Sequence, residues 1–239
     1  MKKLFFVLAF LTFLTQDNFA QYYLGVKGGI GLNMQRWNSF DRDILFTPCI
    51  DVFSESNDDP LNKLFISLGY HTRGSTVRGF GFNTFNPYRF NNLVLELGGK
   101  RMVTTDKKYN GYYMLAIRGE YTLSTNLDQV GLNNIYNLVS DVYVNKFNYG
   151  VTVGGGFETN LDETKILFLE FTVGPDLSKQ YEQTETLTIE NPNPVPNPII
   201  TNPFITILPQ EVRNVNLEIK VGIKFSKGEY YDDEYDDEY

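Results

Sequence analysis

Between Tyr23 and Phe225 the sequence runs through eight stretches in which apolar residues alternate with polar residues or glycine. Because successive side chains of a β-strand point to opposite faces, each stretch predicts a two-faced strand. We predict strands over residues 22–33, 46–54, 64–74, 90–102, 111–124, 147–159, 165–174 and 214–225. Pro48, near the start of the second strand, predicts a strand beginning or a bulge there.

The connections between these strands alternate short and long. Short turns are predicted near residues 57–62, 104–110 and 160–164, and longer connections begin near Met34, Ser75, Thr125 and Asp176. Transmembrane barrels have tight turns on one side and longer loops on the other, and a closed antiparallel barrel satisfies every backbone hydrogen-bonding group in lipid. The predicted fold is therefore all-β, an eight-stranded antiparallel up-and-down transmembrane β-barrel.

The N-terminus has the pattern of an export signal. Lys2 and Lys3 precede an apolar run over residues 4–14, and Ala20 precedes Gln21. The run is shorter than the roughly 20 residues that span a bilayer as a helix. We predict a signal peptide at 1–20, an outer-membrane β-barrel at 21–225, and an acidic, disordered periplasmic tail at 226–239. The tail is interpreted as a solvated extension; a docking peptide or a divalent-cation sponge are the alternatives.

Composition excludes several classes of function. The net charge of −8 argues against nucleic acid as a partner. Cys49 is the only cysteine, so a disulfide framework and a cysteine-rich metal site are excluded, and we expect no cofactor or metal. The slightly negative mean hydropathy suits a barrel, in which only every second residue meets lipid.

The inward faces of the predicted strands carry charges of both signs in equal number. Such a balance predicts a neutralised interior filled by ion pairs, since eight strands leave room only for side chains or one small ligand. A narrow gated proton or ion path is the alternative. The predicted lumen charge network consists of Lys27, Asp51, His71, Arg73, Glu96, Lys100, Arg118, Glu120, Glu158, Glu170, Glu218, Lys220 and Lys224.

Aromatic residues near the strand ends predict two interfacial girdles. One girdle would contain Tyr22, Tyr23, Tyr113, Phe157 and Phe225, and the other Tyr70, Tyr121, Phe147 and Tyr149. Residues 185–210 predict a hairpin that protrudes from the membrane, with prolines 192, 194, 196 and 198 stiffening its tip. It is either a docking edge for strand addition or a variable surface loop. A third connection is apolar enough to fold over the barrel mouth or meet a partner, through Leu127, Val130, Leu132, Ile135, Leu138 and Val142.

Some eight-stranded barrels modify lipids with His, Ser and an acid near the outer rim. His71 and Ser75 lie toward the outer end of the third strand, but no oxyanion site accompanies them. His71, the only histidine, is more simply interpreted as a lumen residue bonded to a carboxylate. We therefore predict that the chain is not an enzyme.

Four strand segments stand out: YYLGVKGGIGLN, LFISLGYHTRG, YGVTVGGGFE and the terminal VNLEIKVGIKF, which closes on Phe225. They resemble segments of the outer-membrane β-barrel proteins common in Bacteroidetes, often labelled PorT-type, and more distantly of small barrels of the OmpA and OmpX kind. The resemblance covers residues 21–225 and implies architecture and membrane location, with no catalytic residues to carry over. It also implies that Phe225 is an assembly signal, although the chain continues beyond it.

We expect a small outer-membrane barrel with a structural or surface-interaction role and both mature termini in the periplasm. Its expected partners are outer-membrane lipid, the barrel-assembly machinery and an extracellular or periplasmic protein. The alternatives are an accessory component of an envelope protein-secretion apparatus, suggested by the PorT-type resemblance, and a lipid-modifying outer-membrane enzyme. A soluble periplasmic barrel or sandwich would expose the same apolar rows to water.

Overall fold

The structure is a computed structural model that describes residues 22–37, 43–78, 85–103, 109–129, 139–162, 164–190 and 204–227. The predicted signal peptide and almost all of the acidic tail lie outside these residues. The strands are β1 Tyr22–Trp37, β2 Leu45–Ser56, β3 Asn62–Arg78, β4 Phe85–Met102, β5 Asn110–Thr125, β6 Phe147–Asn160, β7 Lys165–Pro175, β8 Tyr181–Gln183, β9 Leu187–Glu190, β10 Phe204–Ile207 and β11 Gln210–Lys227. A 3-10 turn at Asp141–Tyr143 lies between β5 and β6.

Eight of these strands form a closed antiparallel ring. Each strand from β1 to β7 pairs with the next, β7 pairs with β11, and β11 pairs with β1. The closing ladder runs from Tyr22 opposite Lys227 to Trp37 opposite Val212. Closure leaves no free sheet edge in the ring, so the predicted eight-stranded barrel is confirmed.

The two rims differ in the connections they carry. The described chain ends, Tyr22 and Lys227, are paired at the same rim as the tight connections 57–61, 103–109 and 161–164. We call this rim the turn end and the opposite rim the loop end. The polar residues Asp162, Thr164 and Lys165 stabilise the last of these turns, where a hydrogen bond from Lys165 holds the pKa of Asp162 down at about 2.

The faces of the barrel are inverted relative to a soluble protein. Polar and charged side chains of β11 such as Glu218 and Lys224 are buried inside, whereas its outward row is exposed. The exposed outward residues, each at least 37% accessible, form a continuous apolar belt of Leu24, Val26, Ile30, Ile50, Val52, Leu64, Ile66, Leu68, Leu93, Leu95, Leu97, Leu115, Ile117, Val153, Leu167, Phe171, Val173, Leu217, Ile219 and Val221. Such a surface is stable only where something other than water covers it.

The strict alternation of short and long connections was a wrong prediction for the first two loops. Residues 34–37 and 75–78 belong to β1 and β3, so the loop-end connections 38–44 and 79–84 are no longer than the tight turn 103–109. Above the apolar belt the outward positions become polar, as at Arg36 and Arg89, while the backbone ladder continues. Apolar alternation therefore ends before the strand does. Pro48 lies inside β2, one residue before its ladder with β3 begins at Cys49.

The segment predicted to protrude as a hairpin does form one. β9 pairs with β10 in a separate two-stranded sheet, and below it β8 pairs with β11 from Gln210 opposite Gln183 to Val212 opposite Tyr181. The four prolines of the tip lie outside the described residues.

An apolar cluster fills the loop end of the barrel. We call it the loop-end plug; its buried members are Trp37, Tyr88, Phe90, Leu127, Val139, Tyr181 and Val212. Of the six apolar residues predicted to cover the mouth, Leu127 packs into this plug, Val142 is 83% exposed, and the other four lie outside the described residues.

Eight of the nine predicted girdle aromatics are exposed on the outward face. Tyr23 is the exception, because it follows the outward Tyr22 on the same strand and therefore points inward. Its ring lies 4.8 Å from the Nζ of Lys63 and 4.7 Å from that of Lys224 at the inner mouth of the turn end.

Candidate functional site in the barrel interior

The structure places every member of the predicted lumen charge network inside the barrel. Each side chain is at most 5% exposed: Lys27, Asp51, His71, Arg73, Glu96, Lys100, Arg118, Glu120, Glu158, Glu170, Glu218, Lys220 and Lys224. Three further ionisable residues, Glu55, Lys63 and Asp176, are buried among them. The described lumen thus holds seven lysine or arginine side chains and eight carboxylates besides His71, so its charges nearly cancel.

Glu55 is the centre of the layer nearest the turn end. Its carboxylate accepts hydrogen bonds from Lys100 at 2.8 Å and Lys224 at 2.6 Å, and Lys63 lies 3.6 Å away. Lys224 also donates to Glu158 at 2.7 Å. Two carboxylates and three ammonium groups from five strands therefore pair in this layer, with one positive charge in excess.

Aromatic rings enclose Lys100 directly above this layer. Its Nζ lies 4.8 Å from the ring centroid of Tyr112, and 5.3 to 5.5 Å from those of Phe53, Phe65 and Phe168. Phe53 and Phe168 meet edge to face at 5.5 Å. Cation–π contacts of this kind contribute about 0.5–2 kcal/mol each when desolvated. The rings also occupy space that water would need in order to pass.

The middle layer joins β1, β2, β5, β7 and β11. Lys27 donates to Glu170 at 2.6 Å, and the phenol of Tyr112 donates to the other oxygen of that carboxylate at 3.2 Å. Lys220 lies 3.0 Å from Asp51 and 2.7 Å from Glu218. Lys27–Glu170 and Lys220–Asp51 join strands far apart in sequence across the interior, whereas Lys220 and Glu218 are two residues apart on β11.

His71 is fully enclosed by this layer. Its Nε2 lies 2.8 Å from Asp51 and its Nδ1 lies 3.1 Å from Glu218, with 0% of the residue exposed. Arg73 contacts the same Glu218 carboxylate and donates to Glu120 at 3.0 Å. The imidazole therefore crosslinks two carboxylates and is not presented to solvent or lipid.

Arg118 leads the network toward the loop end. It lies 2.8 Å from Glu120 and donates to Asp176 at 2.5 Å. Glu96 accepts a hydrogen bond from the hydroxyl of Thr152 at 2.7 Å, and Thr152 in turn accepts one from Arg118 at 3.3 Å. Above this layer the loop-end plug closes the interior.

The catalytic constellation considered for a lipid-modifying enzyme is not assembled. Ser75 is buried and donates its hydroxyl proton to Gln35 at 2.7 Å, whereas His71 faces Asp51 and Glu218. Ser75 is four residue steps from His71, about 13 Å along β3. Both side chains are fully buried inside the barrel.

Metal ligation has no candidate in the described ranges. No group of three or more histidine, cysteine, aspartate or glutamate side chains in them is arranged to hold a metal ion. Cys49 is a buried free thiol. None of the described helical segments is long and apolar enough to span a membrane.

Sequence reasoning missed Glu55, Lys63 and Asp176 because the predicted strands ended too early. Glu55 lies on the same inward face of β2 as Asp51, four residues further along the chain. Lys63 lies on the same inward face of β3 as His71, eight residues earlier. Extending the period-two pattern by one step at each strand end would have found both. Phe225, the predicted assembly signal, is an outward residue 40% exposed, opposite Leu24 near the end of β11.

Comparison with known proteins found no matching family model and no matching curated protein. Solved structures with a similar fold include the N-terminal β-barrel domain of OprF from Pseudomonas aeruginosa, at 9% identity and TM-score 0.42, covering 87% of this chain and 97% of that one. Neisserial surface protein A has 10% identity and TM-score 0.44, covering 85% and 97%. Ail of Yersinia pestis, in complex with the heparin analogue sucrose octasulfate, has 6% identity and TM-score 0.43, covering 87% and 99%. Likenesses at this level assign neither a family nor an activity to this chain.

Proposed function

We propose that this chain is a small outer-membrane β-barrel protein with a structural or surface-interaction role and no bulk pore. The observation that carries the proposal is the inverted barrel: an exposed apolar belt outside and paired charges inside. On β1 the outward apolar row runs from Leu24 to Met34. Ten residues of strand, tilted by about 40°, give a band about 25 Å high, the height of the apolar band of transmembrane barrels.

The orientation follows from the two rims. Tight connections are typical of the periplasmic side of such barrels, and the described chain ends lie at that rim. We therefore infer that both mature termini are periplasmic, behind a signal peptide at 1–20, and that the terminal strand closing on Phe225 is presented to the barrel-assembly machinery.

The filled interior supports the absence of a bulk pore. The described lumen is crossed by the Glu55 layer, the rings around Lys100 and the loop-end plug. An ion would have to displace several buried salt bridges, each costly to break because it leaves an uncompensated charge. We expect no porin-like conductance.

A surface-interaction role is supported by the β9–β10 hairpin. Within the described ranges these two strands pair only with each other, so each offers one backbone edge. Strand addition to such an edge is a common mode of protein recognition. An extracellular protein is the partner we favour. The narrower role of an accessory component in a secretion apparatus rests on the PorT-type resemblance alone.

Membrane fractionation, followed by electrophoresis of boiled and unboiled samples, tests the proposal. We expect the protein in the outer-membrane fraction, with a mobility that changes on boiling. A soluble protein with unchanged mobility would contradict it. Planar-bilayer recording of the same preparation should show no steady conductance, and a stable open channel would overturn the absence of a pore.

Replacing residues 187–207 with a short glycine–serine turn tests the surface role separately. The hairpin is its own sheet, so we expect the variant to remain heat-modifiable. Protein partners crosslinked on intact cells by the unaltered protein should be absent from this variant. Identical crosslinks in both would remove the hairpin as the docking element.

A further inference from the structure

Two arginines lie directly opposite each other on the outward face of the barrel, where β1 pairs with β11; we call this closing pair of strands the seam. Arg36 of β1 and Arg213 of β11 are register partners, and both side chains are exposed on the outward face. Their inward neighbours Gln35 and Asn214 are hydrogen-bonded at 2.9 Å, which fixes the register at this level. Directly opposed residues have Cβ atoms about 4.5–5.5 Å apart, and like charges there are destabilising.

The chain supplies no counterion to this pair among the described residues. Neither Arg36 nor Arg213 makes a salt bridge or a side-chain hydrogen bond within them. The adjacent acidic pair, Glu211 and Glu182, does have a counterion. Glu211 opposes Glu182, and Lys179 bridges them at 2.5 and 2.6 Å. One ammonium group thus serves two carboxylates, and together with the two guanidinium groups these five side chains carry a net charge of about +1.

The arginine pair lines a surface groove of about 450 Å³, together with Trp37 and Glu211. Two guanidinium groups at paired positions of adjacent strands, lining one groove, suit a tetrahedral oxyanion, because each fork can donate two parallel hydrogen bonds. A phosphate monoester has three free oxygens and can accept from both forks at once. A phosphodiester has only two and fits this arrangement less well.

The height of the pair identifies the source of the anion. The outward apolar rows end at Met34 on β1 and Val215 on β11, and the arginines are the next outward residues, about 7 Å further along each strand. That level is where lipid headgroups meet the loop end of the barrel. We propose that Arg36 and Arg213 form a binding site for the phosphate monoester of an outer-leaflet lipid, an inference that rests on the proposed membrane location.

The test uses the full-length mature protein in nanodiscs of phosphatidylcholine that contain a minor fraction of phosphatidic acid. Native mass spectrometry then counts the phosphatidic acid molecules that remain bound. We expect one retained lipid, with retention falling about tenfold in the Arg36→Gln/Arg213→Gln variant. Arg89→Gln is the matched control. Arg89 is also exposed at the loop end but stands opposite Gly74, so its removal should leave retention unchanged.

Stability to urea gives a second readout that does not depend on mass spectrometry. In phosphatidylcholine alone the double variant should resist urea at least as well as the unaltered protein, because a repulsive pair has been removed. With phosphatidic acid present the order should reverse. Phosphatidylglycerol, a phosphodiester, should give a smaller reversal.

Four outcomes would overturn the inference. Equal retention by the unaltered protein and the double variant removes the site. Arginine-dependent binding of inorganic phosphate in detergent, without preferential retention of phosphatidic acid, assigns the site to a dissolved anion instead. Failure to insert into nanodiscs overturns the membrane location and this site together, whereas insertion without lipid preference overturns this site alone.

Discussion

The Nζ of Lys27 lies 2.6 Å from the carboxylate of Glu170, although 143 residues separate them in the chain. Lys27 is on β1 and Glu170 on β7, two strands that do not pair with each other. The bond therefore crosses the interior over β11. Both side chains are almost completely buried, so each depends on the other for charge compensation.

Replacing Lys27 with methionine should lower the free energy of unfolding by about 3 kcal/mol, because Glu170 loses its nearest cation. Lys100 remains 3.8 Å from Glu170 and limits the loss. Urea unfolding from lipid vesicles measures the change. Lys165→Met is the control, since its ion pair with Asp162 is 46% exposed and should contribute under about 1 kcal/mol. Equal effects of the two substitutions would contradict a structural role for the interior pair.

Gly29→Ala should prevent stable closure of the barrel. A Cβ at Gly29 would overlap the backbone carbonyl of Ile219 on β11. The hydrogen-bonded backbone of the ladder cannot shift to relieve this overlap. Gly31→Ala is a matched control two residues along the same face, where the nearest atom, Nδ2 of Asn33, would be 3.5 Å away. The heat-modifiable band should be lost in the first variant and kept in the second. A folded Gly29→Ala protein would show that the seam is looser than described.

Leu127→Ala should loosen the connection between β5 and β6 without unfolding the barrel. Leu127 is fully buried in the loop-end plug, and removing a leucine side chain from such a site costs about 2–5 kcal/mol. Limited proteolysis of the folded protein should then cut residues 126–146 about tenfold faster. Val142→Ala, at an 83% exposed position of the same connection, should leave the cleavage rate unchanged. Indistinguishable rates for the two variants would mean that Leu127 does not anchor the connection.

His71→Gln should reduce stability and leave the surrounding lipid chemically unaltered. The amide can donate to only one of the two carboxylates that the imidazole bridges, so a loss of about 1–3 kcal/mol is expected in urea unfolding. Mass spectrometry of outer-membrane lipid from cells carrying each protein provides the second measurement. A lipid modification present with the unaltered protein and absent with the variant would restore the enzyme hypothesis.

The sequence predicts the barrel well because its signal is local. In each strand apolar residues alternate with polar residues or glycine, and this alternation identifies the two faces. The inward positions of Lys27, Arg73 and Lys220 therefore follow from the residues next to them. The structure departs from the prediction mainly at strand ends. Residues 34–37 and 75–78 are paired strand beyond the last clear step of apolar alternation, so the period-two pattern does not extend to them.

The pairing of the interior charges could not be predicted in the same way. Which carboxylate meets Lys27 depends on the stagger of all eight strands around the ring, a property that no single stretch of sequence encodes. The same holds for the rings around Lys100. Phe53, Phe65 and Tyr112 are inward residues of three different strands, and only the closed geometry brings them to one ammonium group.

The seam between β1 and β11 also constrains when the protein can form. The first strand of the barrel closes only against the last, so no partially synthesised or partially inserted chain has a complete wall. Before Val212–Lys227 is in place, the strand that lies between Lys27 and Glu170 is missing. β1 and β7 then each have an unpaired backbone edge. Such edges are templates for aggregation. A chain that lacks β11 is therefore prone to aggregation, and the pairings that close the ring form only once the last strand is in place.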